Sequence, residues 1–265
     1  MTTTPKLLVV GGGKMGTALV TGLIAAEWAP VGDLAVSDPD PVRRQILQAA
    51  HPGLAAADGP VPADAALLAV KPDLAEAVLG TLAAVGIARV LSIVAGVSSA
   101  RLEAALGPGA VVVRAMPNTP ALIGAGVAAI SGGSAATPDD LDWAEGILGS
   151  VGSVVRLPEH HLDAVTGVSG SGPAYVFLVA EAMIEAGVIA GLSREISRRL
   201  VVETVLGSAR MMAETGEEPG ELRAAVTSPG GTTAAALRTL ESKSVRSSFI
   251  EAVAAATERS RQLGR

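Results

Sequence analysis

The chain has 265 residues with a net charge of −6, 49% apolar and 2% aromatic residues, three histidines and no cysteine. At roughly 150 residues per domain, this length favours two domains. The absence of cysteine excludes disulfide frameworks, zinc ribbons, iron–sulfur clusters and thiol nucleophiles. Two of the histidines, His160 and His161, are adjacent, so we expect no metal site. The acidic charge and the scarcity of aromatic residues argue against nucleic-acid binding.

The apolar content makes a membrane location worth testing. The longest uncharged stretches lie between Ala115 and Asp139 and between Ala164 and Glu181, and both are interrupted by glycine, serine and proline. A spanning helix needs about 20 consecutive apolar residues, so neither stretch fits. The first residues carry no basic segment typical of a signal peptide. We therefore expect a cytoplasmic protein with no membrane partner.

The first part of the chain alternates short β-type runs with helical patterns. Predicted strands cover residues 7–10, 34–37, 65–70, 89–94, 111–113, 127–130 and 154–155. Predicted helices cover residues 15–27, 39–50, 73–84, 98–106 and 138–148, with Ser98 and Thr137 as N-caps. This alternation predicts an α/β domain over residues 1–158, built on a parallel sheet with crossover helices.

The remainder, residues 159–265, shows helical patterns only. These predicted helices cover residues 173–190, 194–215, 220–225, 232–240 and 245–263. The segment 174–190 is apolar nearly all round, with Glu181 and Glu185 as its only charges, and such a helix is normally buried on every side. Because a small bundle has difficulty covering it, we expect a partner subunit. The alternative is a central helix of a monomeric bundle.

A glycine-rich motif follows the first predicted strand and opens the first helix. Gly11, Gly13 and Gly16 have the G-x-G-x-x-G spacing, with Lys14 and Met15 between them. This spacing allows a tight turn and a close approach to a pyrophosphate, which the helix N-terminus then attracts. The motif predicts a dinucleotide site, and the alternative is a glycine-rich turn without a ligand.

The end of the second strand bears on the choice between NADH and NADPH. Asp38 follows the last glycine by about 20 residues, where an acid binds the ribose hydroxyls of NAD. Ser37, Arg43 and Arg44 are nearby in the sequence and suit a 2′-phosphate. These signals conflict, so the sequence leaves the cofactor preference open.

Two further strand–helix connections, at residues 69–72 and 94–97, are expected at the same edge of the sheet, and the segment 114–120 follows the fifth strand. In an open parallel sheet, ligands bind at the carboxyl ends of the strands. Lys71 lies at one such end, although a surface lysine is an equally good interpretation. The residues of these connections that we assign to the cofactor are Ala69, Val70, Lys71, Pro72, Ala95, Gly96 and Asn118.

A second motif joins two helices near residue 230. Pro229, Gly230 and Gly231 allow the backbone to fold into a nest of N–H groups, and Thr232 and Thr233 add hydroxyls at a helix start. Such an arrangement binds a small carboxylate. As structure alone, it is also a plausible interhelical turn.

Taken together, these motifs resemble Δ1-pyrroline-5-carboxylate reductases. The matching stretches are residues 11–16, 69–72, 95–96, 116–120, 165–175 and 226–233. The resemblance implies a Rossmann domain followed by a helical domain that forms homodimers, often gathered into rings, with each active site completed by the partner subunit. It also implies NADPH or NADH as the cofactor of an enzyme that reduces a cyclic imine to proline. Residues implied to bind the substrate are Ser228, Gly230, Gly231, Thr232 and Thr233, with the Thr233 hydroxyl beside the imine nitrogen.

Other readings of the motifs stay open. A β-hydroxyacid dehydrogenase would need a lysine where this chain has Val176. A short-chain dehydrogenase would need a lysine four residues after Tyr175, where Val179 stands. A non-catalytic dinucleotide sensor would need the cofactor site without the carboxylate nest.

Overall fold

The computed structural model describes residues 4–264. They form two compact units, one made of residues 4–171 with 254–264 and the other of Gly172–Val253. These two units are defined by contacts within one chain. The predicted boundary between functional domains at residue 158 is a separate division and stays a prediction.

The first unit contains one eight-stranded sheet. Its strands are β1 (Leu7–Val10), β2 (Leu34–Ser37), β3 (Ala55–Ala57), β4 (Ala66–Leu68), β5 (Arg89–Ser92), β6 (Val111–Met116), β7 (Gly126–Gly132) and β8 (Gly152–Arg156). They lie in the order β3-β2-β1-β4-β5-β6-β7-β8. This order, with β1 at the centre and crossovers on both sides, is that of a Rossmann-type sheet.

The sheet is parallel as predicted, with one correction. The pair β6–β7 is antiparallel, while the other neighbouring strands run parallel. The link between β6 and β7 contains only the 3₁₀ turn Thr119–Ile123. A parallel connection needs a crossover of about a dozen residues or more, so this short link reverses the chain.

Strand β3 is a second departure from the sequence prediction. It pairs with β2 in parallel, with Ala35 opposite Ala55 and Ser37 opposite Ala57. Three alanines carry none of the β-branched or aromatic signal by which strands are recognised. The strand forms because its backbone hydrogen-bonds to the edge of β2 that β1 leaves unpaired.

Helices complete both units. They are α1 (Lys14–Ala25), α2 (Pro41–Ala50), α3 (Ala75–Ala84), α4 (Ser99–Leu106), α5 (Pro138–Gly149), α6 (Leu162–Val165), α7 (Gly172–Ile189), α8 (Arg194–Thr215), α9 (Pro219–Ala225), α10 (Thr232–Ser242) and α11 (Val245–Leu263). A π-helical turn, Thr166–Gly170, follows α6. The predicted caps are confirmed, since Ser98 accepts from the N–H of Arg101 and Thr137 forms a capping box with Asp140.

The core of the first unit lies on both faces of the sheet. Along β1, Leu7 and Val9 pack with α1 and α5, whereas Leu8 and Val10 pack with α3 and α4. Successive strand residues point to opposite faces, which is why one four-residue apolar run serves two cores. Loops that follow β1, β2 and β4 at the carboxyl edge of the sheet line a cavity.

The second unit buries little of its own apolar surface. Among its residues, Ser197 and Val201 are buried, and α7 buries none. Phe177 and Leu178 of α7 are each 66% exposed.

Within residues 4–264, one helical run is long and apolar enough to cross a membrane. It is Glu159–Ile189, and its apolar window is unburied. The Gly, Ser and Pro residues near Gly170 were expected to interrupt a helix, but the helical backbone continues through them by way of the π-helical turn. One such helix is weak evidence for a membrane protein.

Candidate functional site

The glycine-rich loop joins β1 to α1 through two close backbone approaches. A Cβ on Gly11 would overlap the carbonyl of Ala69, and a Cβ on Gly16 would overlap the carbonyl of Gly11. Gly13, the N-cap of α1, faces open space instead. The loop therefore packs tightly against β4 on one side and leaves the N-terminus of α1 accessible, which is the arrangement that a pyrophosphate requires.

Asp38 holds this loop from the side of β2. Its Oδ2 accepts the N–H of Gly12 at 2.7 Å, and its Oδ1 accepts the N–H of Asp40 at 2.8 Å. Arg43 Nη1 lies 3.4 Å from the same Oδ2, and Arg44 Nη1 donates to the Asp38 carbonyl at 2.6 Å. The carboxylate is buried, and each of its oxygens already has a backbone donor.

A cavity of about 660 Å³ lies beside the loop at the carboxyl edge of the sheet. The predicted cofactor residues that line it are Gly11, Gly13, Ser37, Asp38, Ala69, Val70 and Lys71. A cavity of this size, between a helix N-terminus and the ends of parallel strands, fits part of a dinucleotide.

Several residues that line this cavity were not predicted from the sequence, and Asp58 and Pro60 are the most informative of them. Asp58 and Pro60 line it because they follow β3, the strand that went unpredicted. The turn signal Asp58-Gly59-Pro60, after a run of small residues, was the available clue.

Other predicted cofactor residues lie away from the cavity lining. Lys14, Met15 and Gly16 form the first turn of α1, and Pro72 begins a 3₁₀ turn after β4. Asn118 is buried, with its Oδ1 accepting the N–H of Val127 at 3.0 Å and its Nδ2 donating to the Ser169 carbonyl at 3.2 Å. Its amide thus ties β7 to the π-helical turn.

Ala95 and Gly96 lie in the connection between β5 and α4. The start of α4 is held by Glu159, which accepts the N–H of Ser99 at 2.7 Å, the Ser99 hydroxyl at 2.5 Å and Arg114 Nη1 at 2.7 Å. Burial raises the pKa of Glu159, but the hydrogen bonds from Ser99 and Arg114 outweigh it and hold that pKa below its usual value. The ionised carboxylate fixes one end of the connection.

The predicted carboxylate site lies in the second unit, at the N-terminus of α10. Gly230 has φ +72°, and the N–H of Gly231 donates to the Ser228 carbonyl at 3.1 Å. Gly231 caps α10 without a side-chain hydrogen bond, and Thr232 and Thr233 form its first turn. The structure thus brings all the predicted substrate residues into one turn and one helix start, a suitable place for an anion.

Comparisons with known proteins agree with these features. The family model described as pyrroline-5-carboxylate reductase dimerisation matches residues 159–263. A pyrroline-5-carboxylate reductase of a Synechocystis strain is 45% identical over 265 residues, which cover 98% of each chain.

Two solved structures are similar over nearly the whole chain. That of a Coxiella burnetii pyrroline-5-carboxylate reductase has a TM-score of 0.90 and 35% identity, covering 99% of this chain and 100% of the other. That of Plasmodium falciparum pyrroline carboxylate reductase with NADP bound has a TM-score of 0.88 and 33% identity, covering 98% of each chain. By fold, motifs and full-length similarity, the chain belongs to the pyrroline-5-carboxylate reductase family.

Proposed function

We propose that this chain reduces Δ1-pyrroline-5-carboxylate to L-proline, the last step of proline biosynthesis, with NADPH or NADH as the reductant. The observation that carries the proposal is the 45% identity with a pyrroline-5-carboxylate reductase over 98% of both chains. The glycine-rich motif is shared by many dehydrogenases and does not distinguish their substrates. The full-length similarity also covers the turn before α10, where the predicted substrate residues lie. The rival β-hydroxyacid reading gains no support, because Val176 has no acid–base group.

The cofactor, when bound, supplies the hydride. Gly13 at the N-terminus of α1 would hold the cofactor pyrophosphate, and Lys71 and Ser37 would contribute polar contacts from the cavity wall. The solved Plasmodium falciparum relative has NADP bound, which supports a nicotinamide dinucleotide here. The preference between NADH and NADPH stays open.

The substrate residues bind and orient. We propose that the N–H groups at the start of α10, with Ser228, Gly230, Gly231 and Thr232, bind the substrate carboxylate. The Thr233 hydroxyl hydrogen-bonds the ring nitrogen. Reduction adds a hydride to C5 and leaves the electron pair of the C=N bond on nitrogen, which carries its proton already in the iminium form. Orientation and a hydrogen-bonding partner therefore suffice, and no strong base is needed.

We also propose that the protein acts in the cytoplasm as a homodimer formed through residues 159–265. The description of the family model as a dimerisation segment supports self-association. The exposed apolar side chains of α7 lie within the same residues, 159–265, and support this region as the dimer interface. A second copy accounts for the apolar run Glu159–Ile189 without a membrane.

The decisive experiment is a turnover assay with pyrroline-5-carboxylate. NADPH or NADH oxidation is followed by absorbance, and proline formation is measured by mass spectrometry. We expect one proline per cofactor oxidised. Binding of either cofactor without proline formation would favour a dinucleotide sensor instead, and it would contradict the proposal.

A further inference from the structure

The last turn of α11 lies directly against the connection between β5 and α4. Gly96 has φ +80°, and a Cβ placed on it would come within 3.1 Å of the Leu263 carbonyl carbon and the Gly264 nitrogen. In the other direction, a Cβ on Gly264 would overlap the Gly96 carbonyl oxygen. Two glycines far apart in the sequence therefore meet backbone to backbone, where Gly264 has no room for a side chain and Gly96 has very little.

A guanidinium group reinforces this contact from α4. Arg101 Nη1 donates to the Gly264 carbonyl at 2.9 Å. The same side chain binds Glu76 of α3, with Nε and Nη2 at 3.0 and 2.6 Å from Oε1. Arg101 thus joins α3, α4 and the residue that follows α11.

The final part of α11, which belongs to the first unit, is also held by α6. The Ser260 hydroxyl donates to Asp163 Oδ1 at 2.6 Å, and Ser260 is almost wholly buried. Asp163 belongs to α6. The 3₁₀ turn immediately before α6 contains Glu159, whose carboxylate holds the start of α4. The connection at Gly96 is therefore held at its α4 end by Glu159 and at Gly96 itself by α11.

We infer that the last turn of α11 is a positioning element of the cofactor site, which fixes the Ala95–Gly96 turn in its cofactor-binding shape. The inference rests on the proposed function and on the sequence-based prediction that Ala95 and Gly96 contact the cofactor. A glycine turn loses much conformational freedom when it is ordered. A contact that orders it beforehand lowers the free-energy cost of binding.

The direct test is Gly264→Ala, which pushes a methyl group against the Gly96 carbonyl. We expect the Kd for NADPH to rise about tenfold, equivalent to about 1.4 kcal/mol. Amide hydrogens of residues 93–98 should exchange faster, while kcat at saturating cofactor should change little, because a lost binding contact raises KM.

A matched control is Gly80→Ala, within α3. A Cβ at Gly80 meets nothing within 4 Å, and alanine is a better helix former than glycine. This variant should bind NADPH like the wild type and be no less stable.

A second pair of variants keeps the inference testable if Gly264→Ala fails to fold. Arg101→Gln removes both the contact with the Gly264 carbonyl and the pair with Glu76, whereas Glu76→Gln removes only the pair. We expect NADPH affinity to fall further in Arg101→Gln, by roughly threefold, as for loss of one exposed charge-assisted hydrogen bond. Equal affinities in these two variants would contradict the inference.

A failure of the proposed function and a failure of this inference give different results. If the wild type neither binds NADPH nor forms proline, the proposed function is wrong. If the wild type does both, and Gly264→Ala lowers the melting temperature but leaves NADPH affinity and the exchange of residues 93–98 unchanged, the contact is only structural. That second result would overturn the inference alone.

Discussion

The two units of this chain differ in how far each completes its own core. In the sheet unit, β1 is buried on both faces, and Leu7 and Leu8 are fully inaccessible. In the helical unit, α7 buries no residue and carries exposed Phe177 and Leu178. Apolar burial drives folding at roughly 25 cal/mol per Å², so the sheet unit obtains this stabilisation within one chain. The helical unit requires cover from outside.

The largest expected effect comes from charging the exposed face of α7. In Leu178→Glu, burial of an unpaired carboxylate at the proposed dimer interface should cost several kcal/mol and raise the dimer dissociation constant about a hundredfold or more. Sedimentation measures this constant directly. Ile46→Glu, on the exposed side of α2 in the sheet unit, is the matched control and should leave assembly unchanged. An intact oligomer in Leu178→Glu would show that a partner subunit does not cover this face of the helical unit.

The next effect concerns the start of α10. Thr233→Ala should lower kcat/KM for pyrroline-5-carboxylate by about a hundredfold, comparable with the cost of losing one oriented hydrogen-bonding group at a reacting centre. The Kd for NADPH should be nearly unchanged, because the predicted cofactor residues belong to the sheet unit.

Thr233→Ser is the control for that variant. It keeps the hydroxyl and should retain most of the activity. Wild-type kinetics in Thr233→Ala would show that the resemblance assigns the wrong residue.

A smaller effect is expected at the loop of the sheet unit. Asp38→Asn removes a charged acceptor from the N–H of Gly12, which is worth about 1.5–3 kcal/mol. Since the carboxylate supports the loop that both cofactors share, affinities for NADH and NADPH should fall together in titration calorimetry. Arg43→Ala is the comparison, and it should weaken NADPH alone. A loss confined to NADH in Asp38→Asn would instead indicate a contact with the ribose hydroxyls.

The smallest effect is a pH dependence of stability from Glu159. Its pKa in the folded protein lies below the usual 4.5, so its stabilisation is present above that pH and is lost as the pH falls through the folded value. Glu159→Gln should cost about 1 kcal/mol at neutral pH, reduced because the side chain is partly exposed. Thermal melting from pH 7 to pH 3 should show a shallower decline for the variant than for the wild type. If the melting temperatures of the two proteins decline equally with falling pH, groups other than Glu159 cause the acid sensitivity.

Much of the fold followed from local patterns. The alternation of strands and helices predicted the sheet unit, and Ser98 and Thr137 marked helix starts correctly. Strand β3 was missed because its three alanines have no strand signal, and the reversal of β7 was missed because pairing direction depends on the link before it. Asp58 and Pro60 were absent from the predicted site because they follow β3, which was not predicted.

The sequence by itself determined the class of the protein and the candidate chemistry. Glycine spacing, turn residues and apolar periodicity act over a few residues, and they can be read without coordinates. Tertiary structure decided what touches what: Asp38 binds the glycine-rich loop, Asn118 binds the π-helical turn, and Gly264 packs on Gly96. Such contacts join residues distant in sequence through the backbone, and backbone contacts leave no periodic pattern in the side chains.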